Sequence, residues 1–245
     1  MAKRYNGPRA VVTGHSRGLG AAIAEELLSR KVPVLGISRT RNAQLGTQGA
    51  LREVELDLSN TAALSQWIAS DALRTFLGDP ATAILVNNAG LLQPIGPLQT
   101  EDPVAVGRAV AVNVGAALML SAAMVQATTH VRDRRILHIS SGAARQAYAG
   151  WAVYCATKAA VDHHARAVAL DSTRGLRISS VAPGVIDTDM QTEIRASSID
   201  KFPQKERFDA LKRNGQLRDP RDVARRLVDH LLSDKFGDET VTELY

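Results

Sequence analysis

The chain is poor in several residue types that mark other kinds of protein. It has one cysteine, Cys155, among 245 residues, which excludes an internal disulfide and suits a reducing cytoplasm. Aromatic residues make up 4% of the chain, and no run of Lys and Arg is interleaved with them. Nucleic-acid binding is therefore disfavoured despite a formal net charge of +5. No stretch approaches the ~20 apolar residues of a membrane-spanning helix, so we expect no membrane partner.

The start of the chain also lacks the pattern of a secretory signal. Residues MAKRYNGPR carry positive charge, but a short strand and a glycine turn follow them instead of an apolar signal core. We therefore expect a cytoplasmic protein. With 45% hydrophobic residues, the chain is long enough for one well-filled α/β domain and short for two, so residues 1–245 are expected to form a single domain.

Short apolar runs alternate with helical stretches along the whole chain. Strands are predicted at residues 9–13, 32–38, 51–56, 83–86, 135–139, 176–181 and 240–244. Helices are predicted at residues 21–30, 60–77 with Ser59 as cap, 102–127, 154–173, 203–213 and 220–233. The alternation predicts a doubly wound, mostly parallel, seven-stranded Rossmann-type sheet with helices on both faces. The polar segment up to Lys201 shows little periodicity and is a candidate mobile lid.

A glycine-rich turn, GHSRGLG, joins the first strand to the first helix. Its glycines let the backbone turn sharply and approach a pyrophosphate, which the amides and dipole of the helix N-terminus would face. This order favours dinucleotide binding over a plain loop. The residues expected to border the phosphates are Gly14, Ser16, Arg17, Gly18, Leu19 and Gly20.

The end of the second strand indicates which dinucleotide is bound. A carboxylate usually stands about twenty positions past the glycines and holds the ribose 2′-hydroxyl. Here Ser38-Arg39-Thr40-Arg41 occupies that place. Arg39, with Arg17, could pair with a 2′-phosphate through charge-assisted hydrogen bonds, which favours NADP(H) over NAD(H). The alternative is that both arginines merely face water.

Polar residues follow the next strands at the edge where such sheets bind ligands. Asp57 either starts a helix or reaches the adenine amino group. Asn113 lies in an apolar helical tract and needs a partner or a purpose, because its side chain competes for backbone hydrogen bonds. Ser141 follows the fifth strand, where a serine is commonly just part of a turn.

Tyr154 and Lys158 are four residues apart on a predicted helix, so their side chains share one face. A neighbouring ammonium lowers the pKa of a phenol, which makes Tyr154 a candidate proton donor. Cys155, between them, is interpreted as a small packed side chain. His163 and His164 have no further ligand at matching spacing, so no metal site is predicted.

Together these motifs resemble the short-chain dehydrogenase/reductase family. The resemblance rests on Thr13-Gly14-x-x-x-Gly18-x-Gly20, Asn87-Asn88-Ala89-Gly90, Asn113, Ser141, Tyr154-x-x-x-Lys158 and Pro183-Gly184. It implies that Tyr154 protonates the substrate oxygen, that Ser141 hydrogen-bonds the same oxygen, and that Lys158 lowers the tyrosine pKa and holds the nicotinamide ribose. Asn113 would position a water in the proton relay.

The resemblance also implies a division of the chain, with residues 9–135 mainly binding the cofactor and residues 136–245 mainly catalytic and substrate-binding. Besides the glycine turn, the implied cofactor contacts are Ser38, Arg39, Asp57, Leu58, Asn88, Ala89, Gly90, Tyr154, Lys158, Pro183, Gly184, Val185 and Thr188. The expected substrate contacts are Leu92, Ser141, Tyr148, Trp151 and Met190.

Within the family, Gly150-Trp151 before Tyr154, the stretch APGVIDTDMQ and the pattern LLSDKFGDETV are similar to the sepiapterin reductases and their bacterial relatives. Those enzymes reduce vicinal dicarbonyls with NADPH and carry a C-terminal aspartate that grips the pterin. This chain has Val241-Thr242-Glu243 there, and the register of Glu243 would point it to the opposite face of a strand. The resemblance thus implies a carbonyl or diketone reductase.

Two other functions stay open from the residues. One is a 3-oxoacyl or hydroxysteroid-type reductase of the same family, which the apolar lining also allows. The other is a non-catalytic NADP(H)-sensing regulatory protein, which could dispense with Ser141, Tyr154 and Lys158. All three are present, which favours an enzyme. Oligomers are usual in the family, so a homodimer or homotetramer is expected.

Overall fold

Seven strands form one sheet in a computed structural model that describes residues 7–45 and 49–245. The basic residues 1–6, considered above for a signal sequence, lie outside the described residues. The sheet order is β3-β2-β1-β4-β5-β6-β7, and all six strand pairings are parallel, which confirms the doubly wound prediction. The strands are β1 Arg9–Thr13, β2 Val34–Ser38, β3 Leu51–Glu55, β4 Thr82–Asn87, β5 Asp133–Ile139, β6 Leu176–Ala182 and β7 Val241–Glu243.

Helices connect these strands and cover both faces of the sheet. They are α1 Gly18–Ser29, α2 Thr61–Ala69, α3 Ala72–Leu77, α4 Pro103–Val110, α5 Ala117–Ala127, α6 Ala152–Leu170, α7 Asp189–Ala196, α8 Lys205–Arg213 and α9 Pro220–Leu232. A π-helical turn, Ala111–Ala116, joins α4 to α5, and 3₁₀ turns lie at Leu98–Thr100 and Gly142–Ala144.

Successive strand residues point into two different apolar layers. Val12 and Val86 pack with α1 and α9, whereas Val11 and Leu85 pack with α2, α3, α5 and α6. The alternation follows from the two-residue period of a strand, and both layers are dry because parallel strands are covered on each face. The sheet therefore leaves only its edges, and above all the carboxyl ends of its strands, for a ligand.

A third apolar cluster lies beyond the carboxyl ends of the strands. Trp151 stacks on Phe202 with ring centroids 4.4 Å apart, and Phe208 packs against both rings. Leu92, Tyr154 and Ile194 belong to the same cluster. It ties α7 and α8 to the start of α6, so the helix that carries Tyr154 is held against the substrate side of the fold.

The helix predicted from Ser59 to residue 77 is two helices, and its predicted cap is the wrong residue. Asn60 caps α2 by accepting a hydrogen bond from the Ala63 N–H at 3.0 Å. Ser59 instead donates through its N–H and its hydroxyl to Asp57. The chain breaks after α2 at Ser70, whose backbone is extended and whose hydroxyl binds the Trp67 carbonyl.

The long apolar helix corrects a second expectation. Residues Pro103–Ala127 form one 25-residue helical unit with a mean hydropathy of 1.7 over its best window, long and apolar enough by composition to cross a membrane. The expectation that no stretch approaches a spanning helix is therefore wrong as far as length and composition go. Half of that window is buried inside the fold, as in a core helix of an α/β domain.

The polar segment predicted as an irregular lid contains helix α7. Its first turn carries Asp189, its last turn carries Arg195, and it buries Gln191 and Ile194. A short helix with few apolar residues gives little periodicity, which is why the sequence pattern missed it. The last strand is also shorter than predicted, since it begins at Val241 and ends at Glu243.

Candidate active site

One cleft of about 540 Å³ opens along the carboxyl ends of the strands. Every residue predicted to contact the cofactor lines it, from Ser38 and Arg39 at one end, past the glycine turn, to Tyr154, Lys158 and Thr188 at the other. The turn after β1 and the Asn88–Gly90 segment after β4 border it from neighbouring strands, where the strand order changes direction. Such a switch point is where open α/β sheets bind ligands.

The glycine turn is packed too tightly for side chains. Gly14 and Gly18 have φ angles of +68° and +57°, and a Cβ on Gly20 would lie 2.1 Å from the Gly14 carbonyl oxygen. Asn88 donates from its side chain to the Thr13 carbonyl at 2.9 Å and so holds the turn against β4. Among the described residues no side chain caps α1, which leaves its first-turn amides for an anion. The turn fits the pyrophosphate of a dinucleotide.

Arg39, Arg108 and Asp57 are the charged residues that line the cleft at its adenosine end. Ser38 ends β2 without a carboxylate, and its hydroxyl donates to the Thr40 carbonyl. Arg39 lines the cleft, and within residues 7–45 and 49–245 it has no carboxylate at ion-pair distance. The acids of the neighbouring strand are paired: Glu53 contacts His15 at 2.7 Å and Glu55 contacts Arg41 at 2.9 Å.

Asp57 lines the same end and is already engaged. The Ser59 N–H and hydroxyl donate to it, and these bonds, with the charges of Arg108 and Arg39, hold the pKa of Asp57 below its ordinary value. Arg108 of α4 lies 3.7 Å from its carboxylate. Asp57 thus orders the start of the α2 segment while facing the cleft, so both interpretations of this residue remain compatible with its position.

Arg17 is not free in this structure. Its guanidinium forms an ion pair with Asp189 at 2.9 Å, which links the glycine turn to the first residue of α7 across the cleft. Both side chains are well exposed, 69% and 73%, so the pair contributes little to stability. Of the two arginines expected to meet a 2′-phosphate, only Arg39 has no ion pair in the part of the chain that the structure describes.

Three of the four catalytic residues expected from the sequence, Ser141, Tyr154 and Lys158, line the other end of the cleft. Tyr154 and Lys158 are both buried, and the Lys158 ammonium lies 5.7 Å from the centroid of the Tyr154 ring. Lys158 Nζ donates to the Ile139 carbonyl at 2.7 Å. Burial lowers the pKa of Lys158 to about 8, and the nearby Asp162 opposes that change.

The pKa of Tyr154 does not follow the expectation that the Lys158 ammonium lowers it. Burial raises the pKa of Tyr154 to about 12, and the hydrogen bond with Ser141 only partly opposes it. The sequence predicted a lowered pKa from the neighbouring ammonium, but a phenol removed from water resists ionisation more strongly. Tyr154 is therefore a neutral phenol near pH 7, the form that a proton donor requires.

Asn113 has the partners that its place in an apolar helix demanded. It lies in the π-helical turn, where its Oδ1 accepts from the Leu91 N–H at 2.7 Å. Its Nδ2 donates to the Leu91 carbonyl at 2.8 Å and to the Thr157 hydroxyl at 3.0 Å. Asn113 lies outside the cleft lining and holds the loop after β4 against α6.

The substrate side of the cleft is apolar and aromatic. Leu92, Trp151 and Met190 line it, together with Ser141. Tyr148 was expected there but stands behind Trp151, with ring centroids 5.3 Å apart and its hydroxyl donating to Gln146. Glu243 also lies outside the lining, because its carboxylate accepts from Arg145 at 2.6 Å.

Several cleft residues were not predicted. Those on α7 were missed because the segment gave no helical signal, whereas Arg108 and Val112 lie on the inward face of a helix that was predicted. The unpredicted lining residues are Ile37, Leu56, Gln93, Arg108, Val112, Ile139, Ser140, Asp189, Gln191, Glu193 and Ile194.

The buried His138 of β5 contacts the half-buried His164 of α6. His138 Nε2 and His164 Nδ1 are 3.0 Å apart, and burial lowers the pKa of His138 to about 3. In the part of the chain that the structure describes, no group of three His, Cys, Asp or Glu side chains is placed to hold a metal ion.

Known proteins resemble this chain over nearly its whole length. The family model for short chain dehydrogenases matches residues 8–198. A benzil reductase ((S)-benzoin forming) of Bacillus cereus is 33% identical over 236 residues, covering 92% of this chain and 94% of the relative. A sepiapterin reductase of Bos taurus is 31% identical over 251 residues, covering 96% and 93%. A crystal structure of a short-chain dehydrogenase/reductase from Burkholderia vietnamiensis is 50% identical with a TM-score of 0.72, covering 98% and 97%.

More distant structures share the fold with different bound dinucleotides. A 4-hydroxyisoleucine dehydrogenase complexed with NADH has a TM-score of 0.80 and covers 96% of each chain. A serine dehydrogenase complexed with NADP⁺ has a TM-score of 0.77 and covers 96% of this chain and 93% of that one. Each is 21% identical and supports the fold alone. With a family model over most of its length and relatives above 30% identity, this chain belongs to the short-chain dehydrogenase/reductase family of oxidoreductases.

Proposed function

We propose that this protein reduces a ketone or a vicinal dicarbonyl to the alcohol with NADPH, and that Tyr154 donates the proton. The observation that carries the proposal is the cleft that joins the glycine turn, whose helix amides are free to bind an anion, to Ser141, Tyr154 and Lys158. The turn fits the pyrophosphate, and Lys158 would hold the nicotinamide ribose. When bound, the cofactor supplies the hydride.

The protein residues supply the proton and the orientation. The Tyr154 hydroxyl donates its proton to the carbonyl oxygen as that oxygen gains negative charge, and the Ser141 hydroxyl hydrogen-bonds the same oxygen. The raised pKa of Tyr154 keeps the phenol protonated and ready to donate over the neutral range. Leu92 and Trp151 shield the reacting group from water on the substrate side.

The preference for NADPH rests on charge at the adenosine end. Arg39 faces the cleft and, among the described residues, has no carboxylate at ion-pair distance, whereas Glu53 contacts His15 and Glu55 is paired with Arg41. A guanidinium recognises a phosphate through charge-assisted bonds, and no carboxylate follows β2 to bind a free 2′-hydroxyl.

A vicinal dicarbonyl is the proposed substrate class. The benzil reductase relatives of Bacillus cereus and Bacillus subtilis, 33% and 32% identical, act on such a compound by their names. The wall of Leu92, Trp151, Met190 and Ile194 suits aryl or alkyl groups flanking the carbonyls. Because Arg145 holds Glu243, the chain offers no free carboxylate there for a pterin.

The test is to follow NADPH oxidation with benzil, sepiapterin, an acetoacetyl thioester and a ketosteroid. We expect benzil to be reduced fastest and Tyr154→Phe to lower kcat by about 100-fold or more, since general acid catalysis contributes that much. Tyr148→Phe is the matched control, because it removes a phenol oxygen that faces Gln146 outside the cleft. Wild-type activity in Tyr154→Phe, or no reduction of any of the four compounds, would contradict the proposal.

The proposed partners are a small carbonyl compound and further copies of this chain. We propose no role for nucleic acid or a membrane, and we propose that the protein acts in the cytoplasm. Val104 and Val110 on α4 and Leu170 at the end of α6 expose apolar side chains, which supports a homodimer or homotetramer. Light scattering at micromolar concentration should give two or four times the monomer mass of 26.3 kDa. A monomer would refute this part of the proposal.

A further inference from the structure

A buried carboxylate lies one helical turn beyond the catalytic lysine. Asp162 is 1% exposed and follows Lys158 by four residues on α6, as Lys158 follows Tyr154. The three side chains therefore share one face of the helix. The reaction described above assigns nothing to Asp162, yet a buried aspartate is rare unless it has partners.

The partners of Asp162 come from several elements. The hydroxyls of Ser140 and Ser180 both donate to its Oδ1 at 2.6 Å, and Arg145 Nη1 lies 3.4 Å from its Oδ2. These contacts join α6 to the ends of β5 and β6. Ser140 directly precedes Ser141, so the carboxylate also anchors the strand end that presents the catalytic serine.

Arg145 is itself shared between two acids. Its Nη2 donates to Glu243 of β7 at 2.6 Å while Nη1 faces Asp162. Asp162, Arg145 and Glu243 thus form a run of alternating charges, and Lys158 lies one helical turn before Asp162 on α6. This arrangement gives Glu243 a role distinct from gripping a substrate.

We propose that Asp162 is a positioning residue that keeps the Lys158 side chain positively charged at the cleft, with Arg145 and Glu243 setting how strongly its charge acts. The proposal rests on the proposed function, in which the Lys158 ammonium holds the cofactor ribose beside Tyr154. In this proposal the buried Asp162 carboxylate, rather than the solvent, stabilises the Lys158 ammonium.

Among the groups around Lys158, Asp162 is the one whose charge favours the protonated form of the lysine. The hydrogen-bond acceptor of Nζ is the neutral Ile139 carbonyl, and burial lowers the pKa of Lys158 to about 8 while Asp162 raises it. An ammonium in a site of low dielectric needs an opposite charge to remain protonated. Without the carboxylate, Lys158 would lose its proton near neutral pH.

Three titratable side chains near Lys158 keep one protonation state between pH 7 and 9. Burial lowers the pKa of His138 on β5 to about 3 and also lowers the pKa of His164 behind it, so both stay neutral. Tyr154 on α6 keeps its proton, because burial raises its pKa to about 12. Arg145, just after the 3₁₀ turn, and Glu243 on β7 act through Asp162.

The direct test is the titration of Lys158 itself in the protein without substrate. The chain has seven lysines, so ¹³Cε-lysine NMR gives few signals, and Lys158→Arg identifies the one that matters. Asp162→Asn keeps an oxygen for the two serines but removes the charge. We expect the Lys158 pKa to fall by at least about one unit, the lower end of the effect of an opposite charge.

Two further variants separate charge from packing. Ser180→Ala removes one hydrogen bond to Asp162 and keeps its charge, so the Lys158 titration should stay close to wild type. Arg145→Gln removes a cation that weakens the carboxylate, so the Lys158 pKa should rise. Because Arg145 is partly exposed, this variant should fold even if Asp162→Asn does not.

The pH profile of benzil reduction is the second readout. As the pH rises, the activity that needs a protonated Lys158 should begin to fall at a lower pH in Asp162→Asn than in wild type. Activity near pH 6 should be nearly retained in this variant. An unchanged Lys158 titration in both charge variants, or an equal loss of activity at every pH, would overturn the proposal. If wild type reduces none of the compounds, the proposed function fails while the NMR result still decides the role of Asp162.

Discussion

The proposed preference for NADPH rests on a single side chain at the adenosine end of the cleft. Arg39 and Arg41 are neighbours in sequence, yet only Arg39 faces the cleft, since Arg41 is paired with Glu55 on β3. The Ser38 side chain binds the Thr40 carbonyl and keeps this turn close to β2. Arg39, which has no carboxylate at ion-pair distance among the described residues, is therefore the side chain proposed to bind a 2′-phosphate.

Replacing Arg39 with Ser should therefore change the cofactor preference. We expect the KM for NADPH to rise about 10- to 100-fold, because a hydrogen bond to a charged group contributes about 1.5–3 kcal/mol. The KM for NADH should stay within about twofold, since NADH lacks the 2′-phosphate. Steady-state kinetics with both cofactors measure this.

Arg41→Ala provides the matched control for that substitution. It removes the same charge two residues away, from a side chain already paired with Glu55. The NADPH KM should then change much less than in Arg39→Ser. Equal effects of the two substitutions would mean that general positive charge, rather than Arg39, selects the cofactor.

Spacing in the sequence predicted which residues meet, but not how their environment changes them. Tyr154 and Lys158 share a helix face as four-residue spacing requires. The predicted direction of the Tyr154 pKa was wrong, because the apolar cluster that buries it comes from distant segments around Phe202 and Phe208. Burial is a property of the assembled fold, so a local motif does not report it.

Helices and strands with a clear hydrophobic pattern were predicted well, whereas elements with a weak pattern were missed. The strands lie close to their predicted positions because continuous apolar runs mark buried parallel strands. The π-helical turn around Asn113 could not be predicted from the sequence, since its apolar composition is that of an ordinary α-helix. The break between α2 and α3 had a signal in Ser70-Asp71, two residues that favour caps over helix interiors.

The glycine turn and α4 offer a comparison of two Gly→Ala substitutions. A Cβ at Gly20 would lie 2.1 Å from the Gly14 carbonyl oxygen and 2.3 Å from Asn88 Nδ2. The backbone must shift, so we expect Gly20→Ala to lose about 1–3 kcal/mol of unfolding free energy and to bind NADPH more weakly. Thermal unfolding should show a midpoint lower by several degrees, at about 2–4 °C per kcal/mol.

Gly107 is the control, because it lies on an exposed face of α4 with no atom within 4 Å of the place that an alanine methyl group would take. Alanine there should stabilise the protein by about 0.5–1 kcal/mol, since glycine costs that much in a helix. NADPH binding should be unchanged. Similar destabilisation at both positions would show that the close contacts at Gly20 do not matter.

The whole sheet explains why the two parts of the chain share one site. Strands β1 to β4 and strands β5 to β7 come from different parts of the sequence but form one continuous sheet. All their carboxyl ends point the same way, so the cofactor turn after β1 and Ser141 after β5 open on the same cleft. This much follows from strand order alone, and the sequence pattern was sufficient to predict it.

The stability of the whole molecule against acid depends in part on the buried His138 and its two hydrogen-bond partners. The Asn87 side-chain amide donates to His138 Nδ1 at 3.1 Å, and His138 Nε2 lies 3.0 Å from His164 Nδ1. Both ring nitrogens of the neutral His138 are thus occupied between β4, β5 and α6. Burial lowers its pKa to about 3, well below the ordinary value of 6.5.

The direction of the pH effect follows from that shift. Between pH 6.5 and 3 the unfolded chain binds a proton that folded His138 does not, so the folded state loses stability as pH falls. From pH 7 to pH 5 this one residue should cost about 2 kcal/mol of unfolding free energy, at about 1.36 kcal/mol per unit below pH 6.5.

Urea unfolding of His138→Gln at pH 7 and pH 5 measures this contribution. The substitution should lower stability at pH 7, because it removes the hydrogen bonds of the buried ring, but it should make the pH dependence shallower by that same amount. His130→Gln, at a half-exposed position, should leave the dependence as it is. An unchanged slope in His138→Gln would assign the acid sensitivity to His164 and His230 instead, since burial lowers the pKa of each below its ordinary value.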